Sequence, residues 1–112
     1  MSPKVKLFMG LIIHKSCSYH DVIAELTKVY GPVESETEQI PFKHTPYYQK
    51  EMGTDLTRHF VSFKNLIATD DAYCSKLISC QIESLFLLND NRRVNIDPGI
   101  LSAHNVILFS TK

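Results

Sequence analysis

The 112-residue chain is long enough for one domain with a real core, and it needs no disulfide staples to hold it together. Lysine plus arginine and aspartate plus glutamate number twelve each, so the chain has no bulk electrostatic reason to seek nucleic acid or an acidic membrane. The apolar fraction of 44% and charged fraction of 21% are those of a soluble globular protein, and no apolar stretch has the length of a membrane span.

The first element is Val5 to Ile13, apolar at Val5, Leu7, Met9, Leu11 and Ile13 and again at Phe8 and Ile12. That pattern predicts a central strand covered on both sides. The apolar run Leu7 to Ile13 is at the short limit for a signal peptide, and His14 and Lys15 stand where a small-residue cleavage site would be. A helix follows, capped by Ser18 with Asp21 three residues on. It is striped by Val22, Ile23, Leu26, Val29 and Tyr30 and stopped by Gly31 and Pro32. Val33 to Phe42 carries glutamates at 34, 36 and 38 and predicts an exposed edge strand. Arg58 to Phe63 is the next strand. Thr69 is the expected cap of a long second helix, with Cys74, Leu77, Ile78, Ile82, Leu85 and Leu88 as its buried stripe. Asn89, Asp90 and Asn91 end that helix. Arg93 to Ile96 is a short strand, Asp97 and Pro98 open a helical turn, and Asn105 to Ser110 is a last strand. The order predicts a single α+β domain over residues 1–112. Its expected form is a ferredoxin-like split βαβ sandwich, two main helices on one face of a mixed four- to five-stranded sheet.

Three cysteines without metal-type spacing point to reduced thiols in a cytoplasmic protein, with Cys74 and Cys80 expected inside the second helix and Cys17 exposed. The five histidines show no paired ligand spacing, and His59 on an apolar strand is expected to be a hydrogen-bonded core residue. Two segments carry more chemistry than a connection needs. PYYQKEMG (46–53) sets Tyr47, Tyr48 and Glu51 ahead of a glycine. It reads either as a packed crossover with tyrosine plugs or as a functional loop. RRVNIDPG (92–99) offers Arg93 as an anion clamp, Asn95 on the strand face opposite Val94 and Ile96, and Asp97 as a proton-handling group. Read alone, these residues favour solvated arginines and an Asp97 that caps the following turn.

IPFKHTPYYQKEMG, LTRHFVSFKNLI, RRVNIDPGIL and ILFSTK together resemble a bacterial family catalogued as a domain of unknown function, four-four-one-six. The resemblance spans nearly the whole chain. It rests on Pro41, Phe42, Thr45, Tyr47, Tyr48, Glu51, Met52 and Gly53, then Phe60, Ser62 and Phe63, then Val94, Asn95, Asp97, Pro98, Gly99 and Leu101, and last Thr111 and Lys112. Lys43, His44 and Pro46 stand where the family carries acidic residues. The family runs on beyond the closing Thr-Lys, so the resemblance implies that this chain is its N-terminal portion. Some members bear the label GTP-binding protein. GLIIHKS (10–16), however, lacks the second glycine that lets backbone amides wrap a phosphate.

Two functions compete on these residues. One is a binding or enzymatic site for a small phosphorylated or carboxylated ligand, with Glu51 and Asp97 in catalytic roles and Tyr47, Tyr48, Arg93, Asn95 and Lys112 as ligand-binding residues, the cofactor unknown. The other is a non-catalytic scaffold that forms a homodimer. The first requires the double-tyrosine segment and the asparagine–aspartate corner to meet at one rim of the sheet.

Overall fold

A computed structural model describes residues 4–37, 40–42, 52–101 and 106–108. Six strands form one sheet: β1 (Lys4–His14), β2 (Val33–Glu36), β3 (Ile40–Phe42), β4 (Leu56–Ala68), β5 (Val94–Leu101) and β6 (Val106–Leu108). Their order is β2-β4-β1-β5-β6, with β3 paired beside β2 on the same strand, β4. Every described pairing is antiparallel, which corrects the expected mixed sheet. Because β4 opposes both β1 and β2, those two run parallel with β4 between them. In the same way β4 and β5 run parallel with β1 between them. No parallel neighbours are needed.

Helix α1 (Tyr19–Tyr30) begins as its sequence dictates. The Ser18 side chain accepts from the Asp21 amide, and Gly31 ends the helix at φ 83° with its N–H on Thr27 O. Glycine suits the position because side-chain-bearing residues rarely adopt this φ. Val22 and Leu26 are fully buried and Ile23 and Tyr30 pack against the core, whereas Val29 faces solvent, contrary to its place in the predicted stripe. Burial pushes the Tyr30 hydroxyl up to about 12.

The second helical region departs further from expectation. It breaks into α2 (Thr69–Ala72) and α3 (Ser75–Glu83), followed by a 3₁₀ turn at Ser84–Phe86. Thr69 is the first helical residue rather than the cap, which is Ala68. The buried face is Ala72, Ser75, Ser79, Ile82 and Glu83. Cys74, Cys80, Leu77, Leu85 and Leu88 are exposed, and Cys17 is half-buried, the reverse of the expected cysteine burial. Ser75 and Ser79 share the buried side with Ile82, and their hydroxyls are satisfied by donating to the Ala72 and Lys76 carbonyls. Asn89 and Asp90 then take positive φ in the tight turn that returns the chain to β5.

Asp97 and Pro98 do not open a helical turn; both lie within β5. The reason is in the register. His14 donates its amide to Arg93 O at 2.8 Å, so in the antiparallel alternation Ile12–Asn95 and Gly10–Asp97 are hydrogen-bonded pairs. Met9–Pro98 falls between them, and the proline nitrogen points away from β1, where its missing N–H breaks no bond to that strand.

Alternation along β1 divides the sheet into two faces. Val5, Leu7, Met9, Leu11 and Ile13 join Val22 and Leu26 of α1, Ala72 and Ile82 of the second helical region, and Phe63, Val94, Ile96 and Ile100 in one buried cluster. Both helices therefore cover the same face. Among the described residues, no helix is long and apolar enough to cross a membrane.

Candidate functional site

The other face carries Lys6, Phe8, Gly10, Ile12 and His14 from β1. Arg58 is the β4 partner of Ile12, and Phe60 is the β4 partner of Gly10. From β5, Asn95 lies opposite Ile12 and Asp97 opposite Gly10. A bare glycine at the centre of the sheet leaves a hollow over the strand. A Cβ at position 10 would meet the Phe60 ring at 3.3 Å, so the ring lies over the glycine. The result is a cavity of about 80 Å³ lined by Phe8, Gly10, Ile12, Arg58, Phe60 and Asp97. The Arg58 guanidinium stands 5.5 Å from the Phe60 ring centroid, within cation–π range. One end of this face is closed by Met52, fully buried against Ile12 and Leu56, with Gly53 at φ 81° behind it.

Asp97 is held in place. Asn95 Nδ2 donates to its Oδ2 at 3.0 Å and Lys76 Nζ of α3 lies 3.3 Å from its Oδ1, yet 43% of its side chain stays exposed. Asn95 in turn accepts from Arg92 Nη1 at 2.9 Å. The network continues round the outer edge of β5. Ile96 points its N–H and C=O away from β1, at a position β6 does not reach. Glu83 Oε2 accepts that N–H at 2.7 Å, and Lys76 Nζ donates to that carbonyl at 2.8 Å. Among the described residues, two side chains two helical turns apart thus satisfy both edge groups of Ile96. Glu83 is buried and its other oxygen pairs with Arg92 at 3.3 Å. Such a pair holds only because both of its oxygens are satisfied.

Arg93 sits apart from Asp97, at the rim where β1 ends and β5 begins. Its Nη1 donates to Arg92 O at 3.2 Å, and its carbonyl holds the His14 amide. Burial, and then the Arg93 charge, hold His14 below its ordinary pKa. The histidine Nε2 lies 3.5 Å from where a Cβ on Gly53 would be. The described end of the double-tyrosine segment, Met52 and Gly53, therefore meets β1 on the face and rim that carry Asn95 and Arg93. Tyr47, Tyr48, Glu51 and Lys112 lie outside the described residues.

On the helix-covered face, His59 is buried as expected, with its Nε2 2.9 Å from Thr57 Oγ1. Tyr19 stacks on it at 4.4 Å and hydrogen-bonds to Glu36. Burial, reinforced by Glu36, raises the Tyr19 pKa. Among the described residues, no group of three histidine, cysteine or acidic side chains has metal-holding geometry.

The residues sequence reasoning missed are Arg58, Gly10, Lys76 and Glu83. A glycine interrupting an apolar strand is a readable signal of close approach. Lys76 and Glu83 gave none, because their partner is a backbone edge distant in sequence. No curated protein and no solved structure matches the chain significantly. Residues 3–112 match the profile of the family described as Domain of unknown function (DUF4416), and the chain belongs to that family.

Proposed function

We propose that the domain binds a small anionic compound, carboxylated or phosphorylated, on the helix-free face of the sheet. The carrying observation is that Arg58 and Asp97 line one cavity over Gly10. Arg58 supplies a delocalised cation suited to a carboxylate or phosphate. Asp97, oriented by Asn95 and Lys76 and still open to solvent, is placed to accept a hydrogen bond or a proton from the ligand. Arg93 adds positive charge at the rim. Tyr47, Tyr48 and Glu51 precede Met52 in the chain. In this reading the tyrosines orient the ligand, Glu51 shares proton handling with Asp97, and Lys112 adds a second cation. Whether binding leads to a reaction depends on the two acids. The strand order, with β4 between the parallel pair β1 and β2, supports placing the whole chain as one domain of the ferredoxin-like split βαβ type.

The test is thermal denaturation of the full chain titrated with inorganic phosphate, citrate and succinate. The expected outcome is a concentration-dependent rise in Tm that Arg58→Gln abolishes and Asp97→Asn reduces. No rise with any of the three anions, in a chain that unfolds cooperatively, overturns the reading.

A second reading has one observation of its own. Tyr73, Leu77, Leu85 and Leu88 are all exposed along the α2–α3 side, with Tyr73 and Leu77 at 62% and 65%. An apolar stripe of this kind suits a scaffold that self-associates. Light scattering that returns a strict monomer at high concentration excludes it.

A further inference from the structure

The Arg58–Asp97 cavity is too small for a whole ligand, since small-molecule sites span roughly 300–1,000 Å³. It admits one functional group. Beside it lies a shallower groove of about 260 Å³, lined among the described residues by Phe8, Ser35, Glu36, Thr37, Phe60, Val61, Ser62 and Leu101. Phe8 and Phe60 line both hollows, so the two are neighbours across β1 and β4.

The groove differs in character from the cavity. Its polar groups are already engaged: Ser35 and Ser62 hydrogen-bond to each other at 2.7 Å, Thr37 Oγ1 accepts the Phe60 amide at 3.0 Å, and the Glu36 carboxylate accepts the Tyr19 hydroxyl. What it presents to a ligand is apolar. Phe60 and Leu101 are 37% and 39% exposed, on a face that also carries Lys6, Arg58 and Asp97. An exposed aromatic ring next to a guanidinium offers two complementary surfaces, a flat one for stacking and a charged one for an anion.

We propose that the ligand of this face is an aryl anion, its ring lying on Phe60 in the wider groove and its phosphate or carboxylate reaching Arg58. This rests on the anion-site reading above and names the ligand's chemical class. A simple anion fills only the small cavity. An alkyl anion covers the groove without the stacking geometry that a flat ring makes with Phe60.

The experiment titrates the ¹⁵N-labelled full chain with two probes, inorganic phosphate and phenyl phosphate, and follows backbone amide shifts. Phenyl phosphate is expected to bind about tenfold more tightly, the scale of one well-placed aromatic contact. Its extra shifts are expected at Phe60, Ser62 and Leu101. Phe60→Leu is expected to collapse the preference, whatever it does to phosphate itself. Equal affinities for the two probes in the unmodified chain overturn the aryl class and leave the anion site standing. That comparison needs no variant to fold. A preference that survives Phe60→Leu also overturns it. No shifts from either probe overturn both the aryl class and the anion site.

Discussion

Alternate residues of β1 serve two different surfaces. Leu7, Met9, Leu11 and Ile13 are sealed beneath the helices at 3% exposure or less, within one large apolar cluster. Phe8, Gly10 and Ile12 look the other way. There they meet an arginine, an aspartate, an asparagine and a second, small apolar cluster built on Met52. One strand with nearly uniform hydropathy thus supports a packed face and a chemically mixed face. The lesson is that hydrophobicity decides that a strand is central, while the side chains of its neighbours decide what each face is for.

The comparison breaks first at Phe63, fully buried beneath the helices. Phe63→Ala is expected to destabilise the fold by about 3–5 kcal/mol, the usual cost of emptying an aromatic site in a close-packed core. Urea denaturation measures it. A loss under 1 kcal/mol would mean that the helix-covered face is not the stabilising one.

Glu83 joins the two faces at the β5 edge, so it sharpens the contrast. Glu83→Ala leaves the Ile96 amide and the Arg92 guanidinium without the carboxylate they share. The expected destabilisation is about 3 kcal/mol, toward the low end for a broken buried pair because Arg92 is partly exposed and rehydrates. Amide hydrogen exchange gives a local readout: the Ile96 amide is expected to exchange much faster in the variant. Unchanged protection would show that α3 does not guard the edge.

The smallest effect concerns the polar exception on the packed face. Burial holds the His59 pKa below its ordinary 6.5, with the nearby Glu36 charge working in the opposite direction. The unfolded chain therefore takes up this proton before the folded chain does. The contribution is complete above about pH 6.5 and is lost as pH falls from there toward the lowered folded value. His14 acts in the same direction. Thermal melts between pH 7.5 and 5 are expected to show a Tm that falls with pH, and a shallower fall in His59→Gln. Identical slopes for the two proteins would remove His59 from the account.

Much of the fold was legible in the residues. Ser18, Asp21 and Gly31 bound α1 through local hydrogen bonds and a positive φ, and such features need no distant partner. The alternating apolar residues of Val5–Ile13 named the core positions of β1 correctly, because period two on a covered strand leaves few choices. The second helix was misjudged, and its failure is physical. Leucine at helical spacing predicts the buried stripe, yet the buried side of this region is Ala72, Ser75, Ser79, Ile82 and Glu83, with Leu77, Leu85 and Leu88 turned to solvent. Asp97–Pro98 was misjudged for a related reason. Locally the pair is a good helix start; in the sheet, register turns the proline nitrogen away from β1. The candidate site was half visible. Asn95 and Asp97 stand out in the sequence as polar residues in and next to a short strand, whereas Arg58 is only the first residue of another until pairing sets it on the same side of the sheet.

By itself the sequence determined the family, the α+β class, the limits of α1 and the buried positions of β1. These depend on contacts within a few residues or on simple periodicity. Only the tertiary structure decided which residues share a face across β4, β1 and β5, where α3 presses on the sheet, and that Arg58, Gly10 and Asp97 enclose one hollow. Those outcomes follow from strand register, and register is a relation between segments far apart in the chain, which no local pattern encodes.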